Sequence, residues 1–326
     1  MRGSVACRWG RLFAITGLVL AAGAVAAQTY VPQRVYAGTH KQFSDFESMM
    51  ADVSRADVVF IGEEHDDPNT HRLELALLEG LARRRGEIVL SLEMFERDVQ
   101  EPLAHFLMGH VDEADFLKAA RPWPRYATDY KPLVDFAMSK NWPIVAGSVP
   151  RSIAAEVSRD GLDALKTRPA SDRVLFAREW RCPETGAYFR RFKDAMHTHT
   201  DAPALVHAPA GTLTLSVERY FAAQCLKDET MGESIAQAYT ARAIGGKRPL
   251  VVNINGAFHS DFGDGVVERT RRRLPTRRVV VLTIQPVADL DHIAPDDEMK
   301  KRADYVVYTL GSSAPAATAA PSPAAP

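Results

Sequence analysis

Apolar residues come along this chain in short runs that alternate with helical stripes. Val58-Val59-Phe60-Ile61 is a continuous apolar run closed by a glycine, the pattern of a strand buried on both faces. From His71 to Arg85 the period becomes helical. Leu73, Leu77, Leu78 and Leu81 share one face, and Arg83, Arg84 and Arg85 stand at the C-terminal end, where cations suit the helix dipole. Ile88–Leu92 predicts a second strand, and Pro143–Ala146 a third, followed by a helix from near Arg151. Leu250–Ile254 predicts a fourth strand and Arg278–Ile284 a fifth. Strands alternating with helices predict an α/β fold, a mostly parallel sheet flanked by helices. Residues 152–243 show no strand pattern and predict a smaller helical subdomain inserted in the sheet domain and packed over one sheet edge.

The two ends of the chain are different in kind. Arg2, Arg8 and Arg11 precede an apolar run from Leu12 to Ala27 that ends in small residues, the layout of a cleaved secretory signal over residues 1–27. That run is shorter than the ~20 residues of a membrane span, so a periplasmic or secreted protein without a stable membrane span is expected. Cys7 lies ahead of the apolar run and no cysteine follows it closely, which argues against a lipid anchor. Residues 311–326 are almost entirely Ala, Pro, Ser and Thr, and read as a disordered tail after a domain of residues 28–310. In an oxidising compartment the remaining cysteines, Cys182 and Cys225, most simply pair. Of 326 residues, 46% are hydrophobic and 25% charged, as in a globular protein with a full core, and the formal net charge is -1. Removing the signal takes away three arginines and no acids, so the remainder is mildly acidic. No electrostatic footprint for nucleic acid results.

Four of the strands run directly into polar clusters. Gly62-Glu63-Glu64-His65-Asp66-Asp67 follows the first, and Glu93, Glu96 and Arg97 end the second. Gly147-Ser148-Val149-Pro150-Arg151 follows the third, and Asn253, Asn255, Gly256 and His259 the fourth. Ligands of open α/β sheets bind outside the carboxyl ends of the strands, so these clusters predict one shared site. Glu63, His65, Glu93 and His259 suit acid–base catalysis around a water, with His65 as base oriented by a glutamate. Glu63, His65 and His259 are also candidate ligands for a divalent metal. Asp66 or Asp67 is expected to cap the helix containing Pro68. A half-buried Glu93 requires a partner, for which Arg97 and Arg151 are the candidates.

A second cluster, Arg121-Pro-Trp-Pro-Arg-Tyr126 with Asp129, Tyr130 and Lys131, combines flat aromatic surface, phenols and cations. It suits a planar ligand carrying carboxylates. Haem is such a ligand, with Tyr126 or Tyr130 on ferric iron and Arg121, Arg125 or Lys131 on the propionates; a proline-rich loop covering the sheet is the alternative. His197, His199 and His207 fall in a polar stretch that is either solvated or a metal contact. No C-x-x-C-H, phosphate-binding loop, H-E-x-x-H or G-x-S-x-G is present, which excludes covalent c-type haem and disfavours nucleotide, zincin and serine-hydrolase chemistry.

Taken in order, VVFIGEEHDDPNTH, LSLEMFERDVQ, the W-x-x-Y-x-x-x-Y-x-P spacing from Trp123 to Pro132, IVAGSVPR, QCLKDETMGESIA and VNINGAFHSDFGDGV resemble the ChaN-like haem-binding (iron-regulated lipoprotein) family over residues 57–267. The resemblance implies an α/β sheet domain with a smaller helical part, and haem binding by tyrosine ligation in a homodimer. More distantly, the family is similar to erythromycin esterases and to metallopeptidases with a G-x-x-H turn, which implies a hydrolytic centre at Gly62, Glu63, His65, Glu93 and His259. Asp228 and Glu229 lie in a segment that recurs in the family, without an evident role. The lipoprotein cysteine is missing. Two functions follow as expectations: an envelope haem-binding protein in haem or iron acquisition or handling, or a hydrolase of the strand-end cluster.

Overall fold

The computed structural model describes residues 31–198 and 210–311. The expected signal, the tail beyond Gly311, His199, His207 and the side chain of His197 lie outside the described residues. Eight strands form one sheet: β1 (Gln33–Ala37), β2 (Gln42–Ser44), β3 (Val58–Glu63), β4 (Ile88–Glu96), β5 (Ile144–Ser148), β6 (Leu250–Gly256), β7 (Val279–Val287) and β8 (Tyr305–Leu310). Their order is β2-β1-β8-β7-β3-β6-β4-β5. All pairings from β8 to β5 are parallel; β1 pairs antiparallel with both β2 and β8. The five expected strands are β3 to β7.

Successive strand residues point to opposite faces, so a parallel sheet needs a cover on each. Val59 and Ile61 of β3, with Leu90, Val252 and Leu282, meet Leu73, Leu77 and Leu81 of the helix Pro68–Ala82 and Leu133 and Val134 of the helix Lys131–Ser139. Val58 and Phe60, with Val89, Val251 and Val281, meet Met231, Ile235 and Tyr239 of the helix Ala210–Arg242. The stretch read as a helical subdomain contains helices alone among its described residues. Its long helix covers this second sheet face as well as reaching edge strand β5. A disulfide joins Cys182 to Cys225, which lies on that helix.

The order of strands decides where the site falls. After β3 the chain runs through Pro68–Ala82 into β4, two places away, and later returns to fill both sides of β3 with β6 and β7. The carboxyl ends of β3, β6 and β4 therefore stand side by side, where a crevice opens. Asp67 starts the outgoing helix: its carboxylate accepts from Thr70 N at 2.9 Å, with Pro68 at the first helical position, as expected.

Candidate functional site

Glu63 ends β3 opposite Gly256 of β6, so its buried side chain enters the crevice from the sheet itself. His65, two residues on, places Nδ1 2.5 Å from Glu63 Oε1, and the hydroxyl of Tyr130 donates to the same oxygen at 2.9 Å. A carboxylate on Nδ1 leaves the other imidazole nitrogen, Nε2, with its lone pair directed away. That nitrogen lies against Gly256: a Cβ built there would come within 2.7 Å of His65 Nε2, so the glycine makes the space the ring occupies. The His65 side chain is 45% exposed, with its ring edge-on to Trp123 at 5.0 Å. Burial works against charge on His65, but the Glu63 hydrogen bond and the charge of Glu93 outweigh it and raise its pKa.

Opposite stands a second pair. Glu93 Oε1 lies 3.2 Å from His259 Nε2, while Glu93 Oε2 accepts from Gly256 N at 2.8 Å. His259 Nδ1 lies 2.6 Å from Asp228 Oδ1, and Tyr188 donates its hydroxyl to Asp228 Oδ2 at 2.7 Å. Burial raises the Glu93 carboxyl, yet the His259 charge and hydrogen bond bring it down to about 2. Burial likewise disfavours a charged His259, but Glu93 and Asp228 prevail and raise it to about 10. His259 is thus an imidazolium between two carboxylates. Neither expected partner of Glu93 reaches it: Arg97 pairs with Glu233 at 3.1 Å, and Arg151 binds Glu96. Glu93 lies in the line of the sheet, where the strand-end imidazole is nearer than cations carried on flanking helices.

Asp228 therefore orients His259, a role not evident in the sequence. Its neighbour Glu229 is structural, taking Arg272 at 2.6 Å, Arg273 at 2.7 Å and the Arg181 N–H at 2.9 Å. A third group lies behind Glu63. His71 Nδ1 is 3.1 Å from Glu74 Oε2 and 3.6 Å from Glu63 Oε2, and burial together with the Glu63 charge raises the Glu74 carboxyl well above its usual range. The signal for these two was the spacing His71-x-x-Glu74, which puts both on one helix face just after the G-x-x-H turn.

A cavity of about 550 Å³ opens over the strand ends, lined by Glu63, Glu64, His65, Glu93, Gly256 and His259, with the apolar Trp123, Phe192, Met196 and Phe258, and with Lys227 and Arg302. A neighbouring cavity of about 560 Å³ shares Ala195, Phe258, Asp261 and Arg302 with it. The second sequence cluster is dispersed. Only Trp123 of its candidates reaches this cavity. The Tyr126 phenol is buried without a hydrogen-bond partner, and Tyr130 is bound to Glu63; burial drives both phenols far up. Arg121 pairs with Asp98 at 2.7 Å and Glu96 at 3.4 Å, and Arg125 with Asp129 at 2.8 Å. The donor atoms of Glu63, His65 and His259 do not gather at one point. Among the described residues, the set that does is Glu63, His71 and Glu74.

The profile of a family described as "Haem-binding uptake, Tiki superfamily, ChaN" matches residues 49–270. Among solved structures, ChaN of Campylobacter jejuni, described as binding haem cofacially, aligns with a TM-score of 0.61 at 14% identity, covering 86% of this chain and 97% of its own. A Bacillus cereus protein aligns with a TM-score of 0.41 at 10% identity, over 81% of this chain and 91% of its own. The type III effector HopBA1 aligns with a TM-score of 0.41 at 11% identity, over 88% and 100%. No curated protein matches the sequence.

Proposed function

We propose the function of this protein from one premise: the chain belongs to the ChaN haem-binding uptake family of the Tiki superfamily, over residues 49–270. On that premise it is a haem-binding protein of the cell envelope, serving haem or iron acquisition or handling, and assembling as a homodimer. The observation that carries this reading is the cavity. It sets the half-exposed His65 ring beside the flat apolar surfaces of Trp123 and Phe258, with Lys227 and Arg302 in the same wall. Haem needs such a set: an axial ligand, apolar contact for the macrocycle and cations for its propionates. His65 replaces Tyr126 and Tyr130 as the favoured ligand, because a phenol must reach the iron and lose its proton, and these two are buried. The Cys182–Cys225 bond accords with an exported protein.

A haem titration followed by absorbance tests the reading. Saturable binding is expected for the wild type and for Tyr126→Phe with Tyr130→Phe, with affinity about tenfold or more weaker in His65→Ala. Weak, unsaturable association of the wild type would end the proposal. Loss of binding in the tyrosine variant alone would return the ligand to the phenols.

One observation favours a second reading, hydrolysis. The Glu63–His65 pair has the geometry of a general base held by a carboxylate, and the imidazolium His259 stands across the same cavity as a charge stabiliser. Turnover of ester or amide substrates is then expected to fall by about 10²–10⁴-fold in Glu63→Gln with His65→Ala. Full activity in that double variant, measured with a panel of chromogenic esters and peptides, would remove this reading.

A further inference from the structure

We infer that Glu63, His71 and Glu74 form a binding site for a divalent transition-metal ion in the wall behind His65. One donor atom from each residue lies within 4.8 Å of the others, and all three side chains are buried. The tautomer of His71 decides what they offer. Its Nε2 lies 3.0 Å from the backbone oxygen of His65 and 3.4 Å from Asp129 Oδ2. Both oxygens can only accept, so Nε2 carries a hydrogen, and Nδ1 is the nitrogen directed at Glu74 and Glu63, the one available to a metal ion. Independently, Glu63 Oε2 and Glu74 Oε1 are buried and accept no hydrogen bond.

One imidazole and two carboxyl groups thus face each other in a buried pocket, where burial and the Glu63 charge hold the Glu74 carboxyl well above its usual range. Such a group is costly unless a cation or a proton occupies its centre. One nitrogen and two carboxylates suit Zn²⁺, Mn²⁺, Fe²⁺ or Co²⁺, whereas Ca²⁺ and Mg²⁺ prefer oxygen alone. The His65 carbonyl and Asp129 on the far nitrogen are the outer partners that commonly orient a ligating histidine. The ion would take Glu63 by Oε2, leaving Oε1 for His65 and Tyr130, so it would fix the carboxylate that orients His65.

The experiment uses the whole protein, washed with chelator as purified and also refolded separately with Zn²⁺, Mn²⁺ and Co²⁺. Metal content is read by plasma mass spectrometry and the Co²⁺ form by its visible spectrum. About one ion per chain is expected in the wild type and in His65→Ala, and almost none in Glu74→Gln or His71→Asn. The thermal midpoint should rise with metal in the first two proteins and not in the others. Glu74→Gln keeps the side-chain shape, so it remains informative if His71→Asn does not fold. No retained ion in the wild type with any of the three metals would assign the centre to a shared proton or a water and overturn the inference. Metal lost in His65→Ala but kept in Glu74→Gln would overturn it too, placing the ion in the open cavity. Neither outcome depends on haem being bound.

Discussion

Replacing His259 with alanine should lower the unfolding free energy by about 3–5 kcal/mol near pH 6, the scale found when one partner of a buried ion pair is removed. The variant would keep Glu93 and Asp228, both buried, with the Gly256 N–H and the Tyr188 hydroxyl left as donors to their oxygens. The effect should depend on pH with a definite sign. The folded pKa of His259 rises from an ordinary 6.5 to about 10, so its contribution is full below 6.5 and is lost as pH climbs through 10. The folded pKa of Glu93 falls from 4.5 to about 2, so its contribution is full above 4.5 and is lost as pH drops through 2. Wild type and variant should therefore differ most between those ordinary values and converge toward pH 10. Urea unfolding at several pH values, compared by midpoint at constant slope, measures this. A difference below about 1 kcal/mol, or one unchanged from pH 6 to pH 10, would show that His259 is not the charged centre of the pair.

Removing the disulfide, by Cys182→Ala with Cys225→Ala, should cost about 4 kcal/mol in the chain-entropy model, because the bond closes a loop between residues 43 apart. The loss should spread to the site. Cys225 lies one turn before Asp228 on the same helix, and the segment beyond Cys182 carries Tyr188, whose hydroxyl holds Asp228. The oxidised wild type should therefore unfold at clearly higher urea than either its reduced form or the double variant, with Asp228 and His259 less firmly placed in both. Coincident unfolding curves with and without reductant would mean that packing, for example of buried Phe221 against Phe189 and Phe192, already supplies the constraint.

Local pattern was enough for much of the architecture. The apolar runs of β3 to β7, the leucine stripe after the G-x-x-H turn, the Asp67 cap and the polar clusters at strand ends were all legible, because period, capping and strand termini are properties of a few neighbouring residues. The outer strands were not. Gln33–Ala37 is short, and it becomes a strand by pairing with Tyr305–Leu310 at the other end of the chain. Tyr305–Leu310 has a strand-like run of its own, but takes its place in the sheet between β7 and β1 from pairings with distant segments. The choice of partners was beyond local pattern too. Glu93 found His259 instead of Arg97 or Arg151, Asp228 came to it from a helix, and Tyr130 turned inward to Glu63 while Trp123 alone reached the cavity. The sequence by itself determined the kinds of element and the strand ends at which chemistry would stand. Only the tertiary structure decided which charges meet, since the strength of a buried pair depends on distance and desolvation, and both are set when β6 and the long helix close over β3 and β4.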